Sequence, residues 1–144
     1  MYAAGRMSGS TTTTKVGSEM FRALVVSQAV TSVLKVSVSR TRPDGAAYSF
    51  PSGHTANAFA TATVFQRNFG WKVGLPAYAV ASFVGASRIQ TQRHYFSDVA
   101  FGAAVGILAG RTVTIGAKEA RFAVSPVAVS GGGGVNFNWV GSSK

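Results

Sequence analysis

Three short motifs constrain this chain more than any other feature, because their side chains make chemical sense only if the fold brings them together. They contribute three cations, a turn suited to opening a helix, two imidazoles and one carboxylate. In chain order they are Lys35 with Arg42-Pro43, then Pro51-Ser52-Gly53-His54, then Ser87-Arg88 with His94 and Asp98. Each motif alone is common, but the ordered set predicts a phosphate-binding site with its own nucleophile and proton donor.

The order and spacing of these motifs resemble the signature of the type 2 phosphatidic acid phosphatase (PAP2) family, which shares its site with vanadium haloperoxidases. The resemblance is strict from Lys35 to Asp98 and looser in the flanking apolar segments. It implies an all-α fold, a helical bundle of the PAP2/haloperoxidase type. It also implies a metal-independent phosphatase, of the acid phosphatase or lipid phosphate phosphatase type, that works through a phosphohistidine intermediate.

The resemblance assigns a role to each motif residue. His94 is the implied nucleophile, Asp98 its orienter and His54 the general acid. The implied phosphate cradle consists of Lys35, Arg42, Ser52, Gly53 and Arg88. Family members carry further apolar helices before the first motif, so this chain is short at its N-terminal side by comparison.

The residue types also suit these roles on physical grounds. An arginine fork can hold two phosphate oxygens, and a lysine adds a mobile point charge. If Ser52 and Gly53 open a helix, their N–H groups point at the anion, and the Ser52 hydroxyl can donate as well. His94 and Asp98 are four residues apart, so the carboxylate can bond one ring nitrogen and leave the other as a nucleophile.

Composition narrows the alternatives. The 144-residue chain has no cysteine, which excludes cysteine-based phosphatase chemistry and thiolate zinc sites. It has only four carboxylates and two histidines, too few for a typical two-metal phosphatase. No metal is therefore expected, and vanadate enters only as a phosphate mimic. The net charge of +10 favours an anionic partner. Because the basic residues are scattered, a membrane surface with a phosphorylated, lipid-like substrate is favoured over nucleic acid.

The chain is divided into a flexible N-terminal segment (1–16), a helical catalytic domain (17–116) and a C-terminal extended or hairpin tail (117–144). About four helices are predicted, with Ser18 as a cap of the first and Pro76 in the first turn of the third. Gly102, Gly106 and Gly110 predict close packing of the fourth helix. Four glycines at 131–134 between β-branched runs predict a terminal hairpin.

No apolar stretch reaches roughly 18 uncharged residues and no signal peptide is visible, so partial contact with lipid is expected. The chain is expected in or on a membrane. An extracytoplasmic location and a homo-oligomeric state are both left open. Two other functions also stay open: a vanadate-dependent haloperoxidase using the same pocket, and an inactive membrane-associated remnant. Arg40 and Arg93 lie beside the motifs but off the pattern, and we expect them to be solvated. Asp44 is expected in a turn.

Overall fold

The computed structural model describes residues 11–119, 121–129 and 132–140. Four α-helices are followed by one antiparallel β-hairpin. The elements are α1 (Thr11–Val38), α2 (Gly53–Phe69), α3 (Trp71–Gln90), α4 (Phe96–Glu119), β1 (Arg121–Val129) and β2 (Gly132–Val140). In the hairpin Arg121 pairs with Val140 and Val129 with Gly132. The predicted all-α bundle is confirmed, with the hairpin as an addition at its C-terminal side.

The helix ends follow local chemistry. At the end of α1, Ser39 adopts a positive φ of 46° and donates its N–H to the Lys35 carbonyl at 3.0 Å, which is a left-handed helix stop. At the start of α2, the Ser52 hydroxyl accepts from the Thr55 N–H at 3.5 Å as an N-cap. Gly70, at φ 77°, is the single residue between α2 and α3.

Two helix starts differ from the sequence prediction. α1 begins at Thr11, so Ser18 lies inside the helix, where its hydroxyl donates to the Lys15 carbonyl at 2.8 Å. Residues 1–10 of the predicted flexible segment lie outside the described residues. α3 begins at Trp71, which places Pro76 inside the helix rather than in its first turn.

α2 is the central helix of the bundle, because it packs against α1, α3 and α4. The C-terminal end of α1, the N-terminal ends of α2 and α4, and the loop after α3 all meet at one end. A backbone hydrogen bond ties this end together: the Ser52 N–H donates to the Asp98 carbonyl at 3.0 Å. All three sequence motifs therefore lie at the same end of the bundle.

Glycines allow α4 to approach α2 closely, as the sequence predicted. A Cβ atom at Gly102 would lie 2.6 Å from the Ser52 carbonyl oxygen. At Gly106 it would lie 2.1 Å from the Ala56 carbonyl oxygen, and at Gly110 it would lie 2.7 Å from Thr63 Cβ. These separations leave no room for a side chain, so the contact between the two backbones requires glycine at these positions.

Small and polar side chains are buried, whereas large apolar ones face outwards. The fully buried side chains include Ser27, Thr31, Thr55 and Thr63. Phe21 is 69% exposed and Phe83 75% exposed. Two helical segments, Thr12–Val38 and Phe96–Ile115, are long and apolar enough to cross a membrane, and only 17% and 39% of their apolar windows are buried within the protein. The sequence contains no apolar, uncharged run of roughly 18 residues, and these two helices qualify by length and mean hydropathy with charged residues included.

Candidate active site

A polar pocket of about 320 Å³ lies at the end of the bundle where the motifs meet. Helices and loops supply its walls: α1 contributes two residues, the α1–α2 loop one, α2 three, and the loop before α4 one. The lining residues are Gln28, Lys35, Arg42, Gly53, His54, Asn57 and His94. Five of these seven were proposed as site residues from the sequence, so the fold brings the motifs together around one cavity.

The cations of the pocket are arranged to receive an anion. Lys35 Nζ donates to the Tyr48 carbonyl at 2.9 Å, which holds the ammonium group over the loop. Arg42 is in a tight turn, because its N–H donates to the Ala46 carbonyl at 2.7 Å. The Nε atoms of Arg42 and Arg88 are buried and have no hydrogen-bond partner among the described residues. Because an unpaired buried donor is costly, these two groups call for an acceptor such as a phosphate oxygen.

Ser52 does not have the geometry expected from its motif. Its N–H is bonded to the Asp98 carbonyl, and its hydroxyl pairs with the Thr55 hydroxyl at 2.9 Å. The side chain is fully buried and is not part of the pocket wall. The expectation that the N–H and hydroxyl of Ser52 reach the anion is therefore corrected: Ser52 caps α2 and anchors it to α4, while Gly53 lines the pocket.

His94 is oriented by a backbone carbonyl in addition to a carboxylate. Its Nδ1 atom lies 2.6 Å from the Ser49 carbonyl oxygen and 3.7 Å from Asp98 Oδ2. The carbonyl can only accept, so Nδ1 carries the proton and Nε2 keeps its lone pair. The expected His–Asp pairing is thus present at salt-bridge distance, while the hydrogen bond itself is made to Ser49, a residue that the motifs did not indicate.

Asp98 is fully buried and accepts hydrogen bonds from three residues, two in the α1–α2 loop and one just before α4. Arg40 Nη1 donates to its Oδ1 at 2.9 Å, and the Tyr95 N–H donates to its Oδ2 at 2.9 Å. The Ser49 hydroxyl also donates to Oδ2. The expectation that Arg40 is a solvated surface residue is therefore corrected in one respect: its side chain is 39% exposed, but its guanidinium forms an ion pair with the buried Asp98. Arg93 fits its prediction better, since it is 56% exposed and lies 3.6 Å from Asp44. Asp44 accepts from the Ala46 N–H at 3.0 Å and forms the expected turn.

Both imidazoles have pKa values below the usual histidine range. Burial, with the charges of Arg88, Lys35 and Arg42, lowers the pKa of His54. Burial also lowers the pKa of His94, and Lys35 and Arg42 add to this, while the Ser49 carbonyl and Asp98 oppose it. A lowered pKa favours the neutral form of His94 at neutral pH, which is the form that the predicted nucleophilic role requires. The charge of Arg88, the arginine of the third motif, thus acts on His54, although Arg88 is not among the residues that line the pocket.

Two pocket residues carry no motif signal. Gln28 is two turns before Lys35 on α1, and Asn57 is one turn after His54 on α2. The Asn57 Nδ2 atom lies 3.5 Å from Gln28 Oε1. Helical spacing from Lys35 and His54 would have placed both on the pocket face. Within the part of the chain that the structure describes, no group of three or more His, Asp or Glu side chains is placed to hold a metal ion.

A second cavity of about 390 Å³ begins at the same Asn57 and runs between α2 and α3. Its walls are almost entirely apolar, with small residues on both helices. They are Asn57, Ala58, Thr61, Ala62, Phe65, Ala77, Val80 and Ala81. This apolar groove and the cationic pocket therefore share Asn57 as a lining residue.

The fold and the pocket together define a helical bundle with a cationic pocket that also holds two histidines. The family model of the PAP2 superfamily matches residues 18–121, and the chain belongs to that family.

Two curated relatives match the region of the motifs. A lipid A 1-phosphatase of Porphyromonas gingivalis is 56% identical over 80 residues, covering 53% of this chain and 18% of that protein. A lipid A 4'-phosphatase of Helicobacter pylori is 31% identical over 93 residues, covering 56% of this chain and 47% of that protein. The chain thus spans less than half the length of either relative.

Two solved structures share the fold. The crystal structure of Aquifex aeolicus LpxE aligns with a TM-score of 0.63 at 27% identity, covering 66% of this chain and 64% of that chain. The transmembrane PAP2 type phosphatidylglycerolphosphate phosphatase from Bacillus subtilis aligns with a TM-score of 0.62 at 26% identity, covering 69% and 57%.

Proposed function

We propose that this chain carries the catalytic site of a metal-independent phosphatase, which hydrolyses a lipid phosphate monoester or pyrophosphate through a phosphohistidine intermediate. The observation that carries the proposal is the pair of buried, unpartnered Nε atoms on Arg42 and Arg88 beside the two histidines. A phosphoryl group supplies acceptor oxygens of the matching charge.

In the first step, the Nε2 lone pair of His94 attacks phosphorus and the bond from phosphorus to the leaving oxygen breaks. His54 gives its proton to that oxygen, so the alcohol departs neutral. In the second step, His54 accepts a proton from water as the water attacks phosphorus. The P–N bond then breaks, its electron pair returns to His94, and inorganic phosphate leaves. Lys35, Arg42 and Arg88 stabilise the charge on the oxygens that do not react.

A lipid substrate and a membrane location are supported by the surfaces of the molecule. Asn57 lines both the apolar groove and the cationic pocket, which suits a molecule with a phosphate head and an apolar tail. The outward Phe21 and Phe83 side chains suit lipid contact. A lipid substrate is also supported by the names of two relatives, a lipid A 1-phosphatase and a phosphatidylglycerolphosphate phosphatase. We place α1 and α4 across the membrane, with His54 and His94 outside these spans.

The test compares the wild-type chain with His94→Ala, in excess EDTA, by phosphate release from p-nitrophenyl phosphate and from phosphatidate in mixed micelles. We expect wild-type activity to survive EDTA and the variant to lose at least about 10³-fold in kcat. A trapped phosphoprotein should be stable to alkali, labile to acid and absent from the variant, as expected of a phosphorus–nitrogen bond.

Each other outcome has a defined meaning. Activity abolished by EDTA would contradict metal independence, and activity retained by His94→Ala would contradict the phosphohistidine. A folded but inactive wild type would leave the two alternatives from the sequence, and turnover of bromide with vanadate and peroxide would then identify a haloperoxidase. Equal rates on both substrates would contradict the lipid preference alone.

A further inference from the structure

Arg40 is the charged residue at this end of the bundle that the proposed reaction does not use. Its guanidinium bonds Asp98 at 2.9 Å and the Ser97 hydroxyl at 2.8 Å through Nη1. Its Cζ atom stacks 4.0 Å over the centroid of the Tyr95 ring. Ser49 connects the same groups from the other side, because its N–H donates to the Arg40 carbonyl at 2.7 Å. The guanidinium is therefore held by Asp98 and Ser97 at its edge and by Tyr95 at its face, and it bridges the α1–α2 loop to the start of α4.

Asp98 interacts with His94 in two ways, directly and through Ser49. The direct route is the 3.7 Å approach of its Oδ2 to His94 Nδ1. The indirect route runs through Ser49, whose hydroxyl donates to Asp98 and whose carbonyl lies 2.6 Å from Nδ1. The position of the Asp98 carboxylate therefore influences both the field at the imidazole and the position of the carbonyl that orients it.

We propose that Arg40 is a positioning residue for the nucleophile: it fixes and neutralises Asp98, and through Asp98 and Ser49 it holds the His94 ring with Nε2 towards the substrate. This inference rests on the proposed function. It gives Arg40 a different role from that of Arg42, two residues later. Arg42 lines the pocket and has an unpartnered Nε, whereas Arg40 is absent from the pocket wall and has its Nη1 engaged.

Removing Arg40 should therefore change turnover rather than substrate binding. With Arg40→Gln the buried carboxylate loses its cation, becomes free to shift, and the imidazole moves with it. Since a displacement of about 1 Å can cost about 10²-fold in rate, we expect kcat to fall about 10–100-fold, with KM within about twofold of wild type. Arg93→Gln is the matched control, since Arg93 is exposed and pairs only with Asp44 at 3.6 Å, and it should retain full activity.

A titration of the His94 ring by NMR adds a readout that does not depend on turnover. The charged groups facing His94 are Lys35 on α1, Arg42 in the loop and Asp98 on α4. Without Arg40, the negative charge of Asp98 acts on the imidazole with less compensation and favours the protonated ring. The pKa of His94 should therefore be higher in Arg40→Gln than in wild type and unchanged in Arg93→Gln.

Two further variants separate positioning from folding. Arg40→Lys keeps the charge next to Asp98 but loses the planar stacking on Tyr95, so it should recover part of the lost kcat. Tyr95→Leu removes the stacking partner and should lower kcat by a smaller factor than Arg40→Gln. Thermal unfolding of each variant shows whether it is folded at the assay temperature, and the ring titration is done on the same samples.

Several results would overturn the proposal. A raised KM with unchanged kcat in Arg40→Gln would make Arg40 a phosphate ligand. Unchanged kcat together with an unchanged His94 titration would show that Arg40 has no role in positioning His94. If Arg40→Lys and Arg40→Gln lose activity only in proportion to their unfolded fraction, the role is structural. If the wild-type protein releases no phosphate, both the proposed function and the role of Arg40 are contradicted. If the wild-type protein is active and Arg40→Gln is equally active, only the role of Arg40 is contradicted.

Discussion

At the scale of single residues, the proposed reaction requires opposite protonation states of the two imidazoles, although the pocket lowers both of their pKa values. His94 must be neutral to attack, and its lowered pKa secures this at neutral pH. His54 must be protonated to serve the leaving oxygen, and the surrounding cations work against that in the empty pocket. A bound phosphate reverses the sign of the field at His54, because its negative charge favours the imidazolium. The substrate thus helps to charge its own proton donor.

This reversal predicts different pH profiles for the free and the occupied enzyme. In kcat/KM, which reports the free enzyme, the optimum should lie below pH 6.5, the ordinary histidine value, because both pKa values are lowered from it. In kcat, which reports the complex, the alkaline limb should move to higher pH as phosphate raises the pKa of His54. Rates measured from about pH 4 to 9 give both profiles. Coincident alkaline limbs would show that His54 does not sense the bound phosphate.

Most of the pocket could be predicted from the sequence, because the three motifs mark residues by type and spacing. Ser52 and Arg40 could not. The sequence shows that Ser52 can cap a helix or bind an anion, but only the packing of α4 against α2 shows that its N–H is used by Asp98. Arg40 and Asp98 are 58 residues apart, so their ion pair has no local signature. The contact of Ser49 with His94 is made by a carbonyl, which every residue type possesses.

At the scale of elements, the contact between α2 and α4 depends on the absence of side chains along one face of α4. Gly106→Ala would place a Cβ atom 2.1 Å from the Ala56 carbonyl oxygen, so the helices must separate. We expect the variant to lose about 1–3 kcal/mol of stability, the usual effect of overpacking. Because α2 and α4 carry His54 and Asp98, kcat should fall as well.

The measurement is thermal unfolding in detergent together with the phosphatase assay. Ala104→Leu is the control, since Ala104 is exposed on the same helix, half a turn from Gly106, and should tolerate a larger side chain. Equal unfolding midpoints for Gly106→Ala and wild type would mean that the helices can move apart without cost, and the close approach would then have no role in stability.

The helices themselves were easier to predict than their ends. The polar, threonine-rich run at 11–14 was assigned to a flexible segment because β-branched residues have modest helix propensity, yet it forms the first turn of α1. Packing explains this: Val16, two residues later, is fully buried in the core with Ala60 and Val64. Tertiary contacts therefore extend α1 beyond the point where local propensity alone would start it.

At the scale of the whole molecule, polarity is distributed in the reverse of the usual soluble pattern. Buried positions hold alanine, serine and threonine, and the outward faces of α1 and α3 carry residues such as Phe21, Val33 and Phe83. In water such a surface would be a large apolar patch, whereas in a bilayer it meets lipid tails. Close packing of small side chains, rather than burial of large ones, then holds the helices together.

This distribution predicts how the chain fractionates. It should stay with membranes through washes in high salt and alkaline carbonate, and leave them only in detergent. A chain bound only by its net charge of +10 would be released by salt, since surface electrostatics are screened at about 1 M salt. Immunoblots of the supernatant and pellet from each wash distinguish the two. Release by salt alone would contradict the placement of α1 and α4 across the membrane.

The meeting of all three motifs at one end of the bundle has a further consequence. With α1 and α4 across the membrane as proposed, the pocket at this end of the bundle faces a single leaflet of the bilayer. The orientation in which the chain is inserted therefore decides which pool of lipid headgroups it can reach, and lipids of the opposite leaflet become substrates only after they have crossed. The direction of insertion is thus a determinant of specificity that lies outside the pocket altogether.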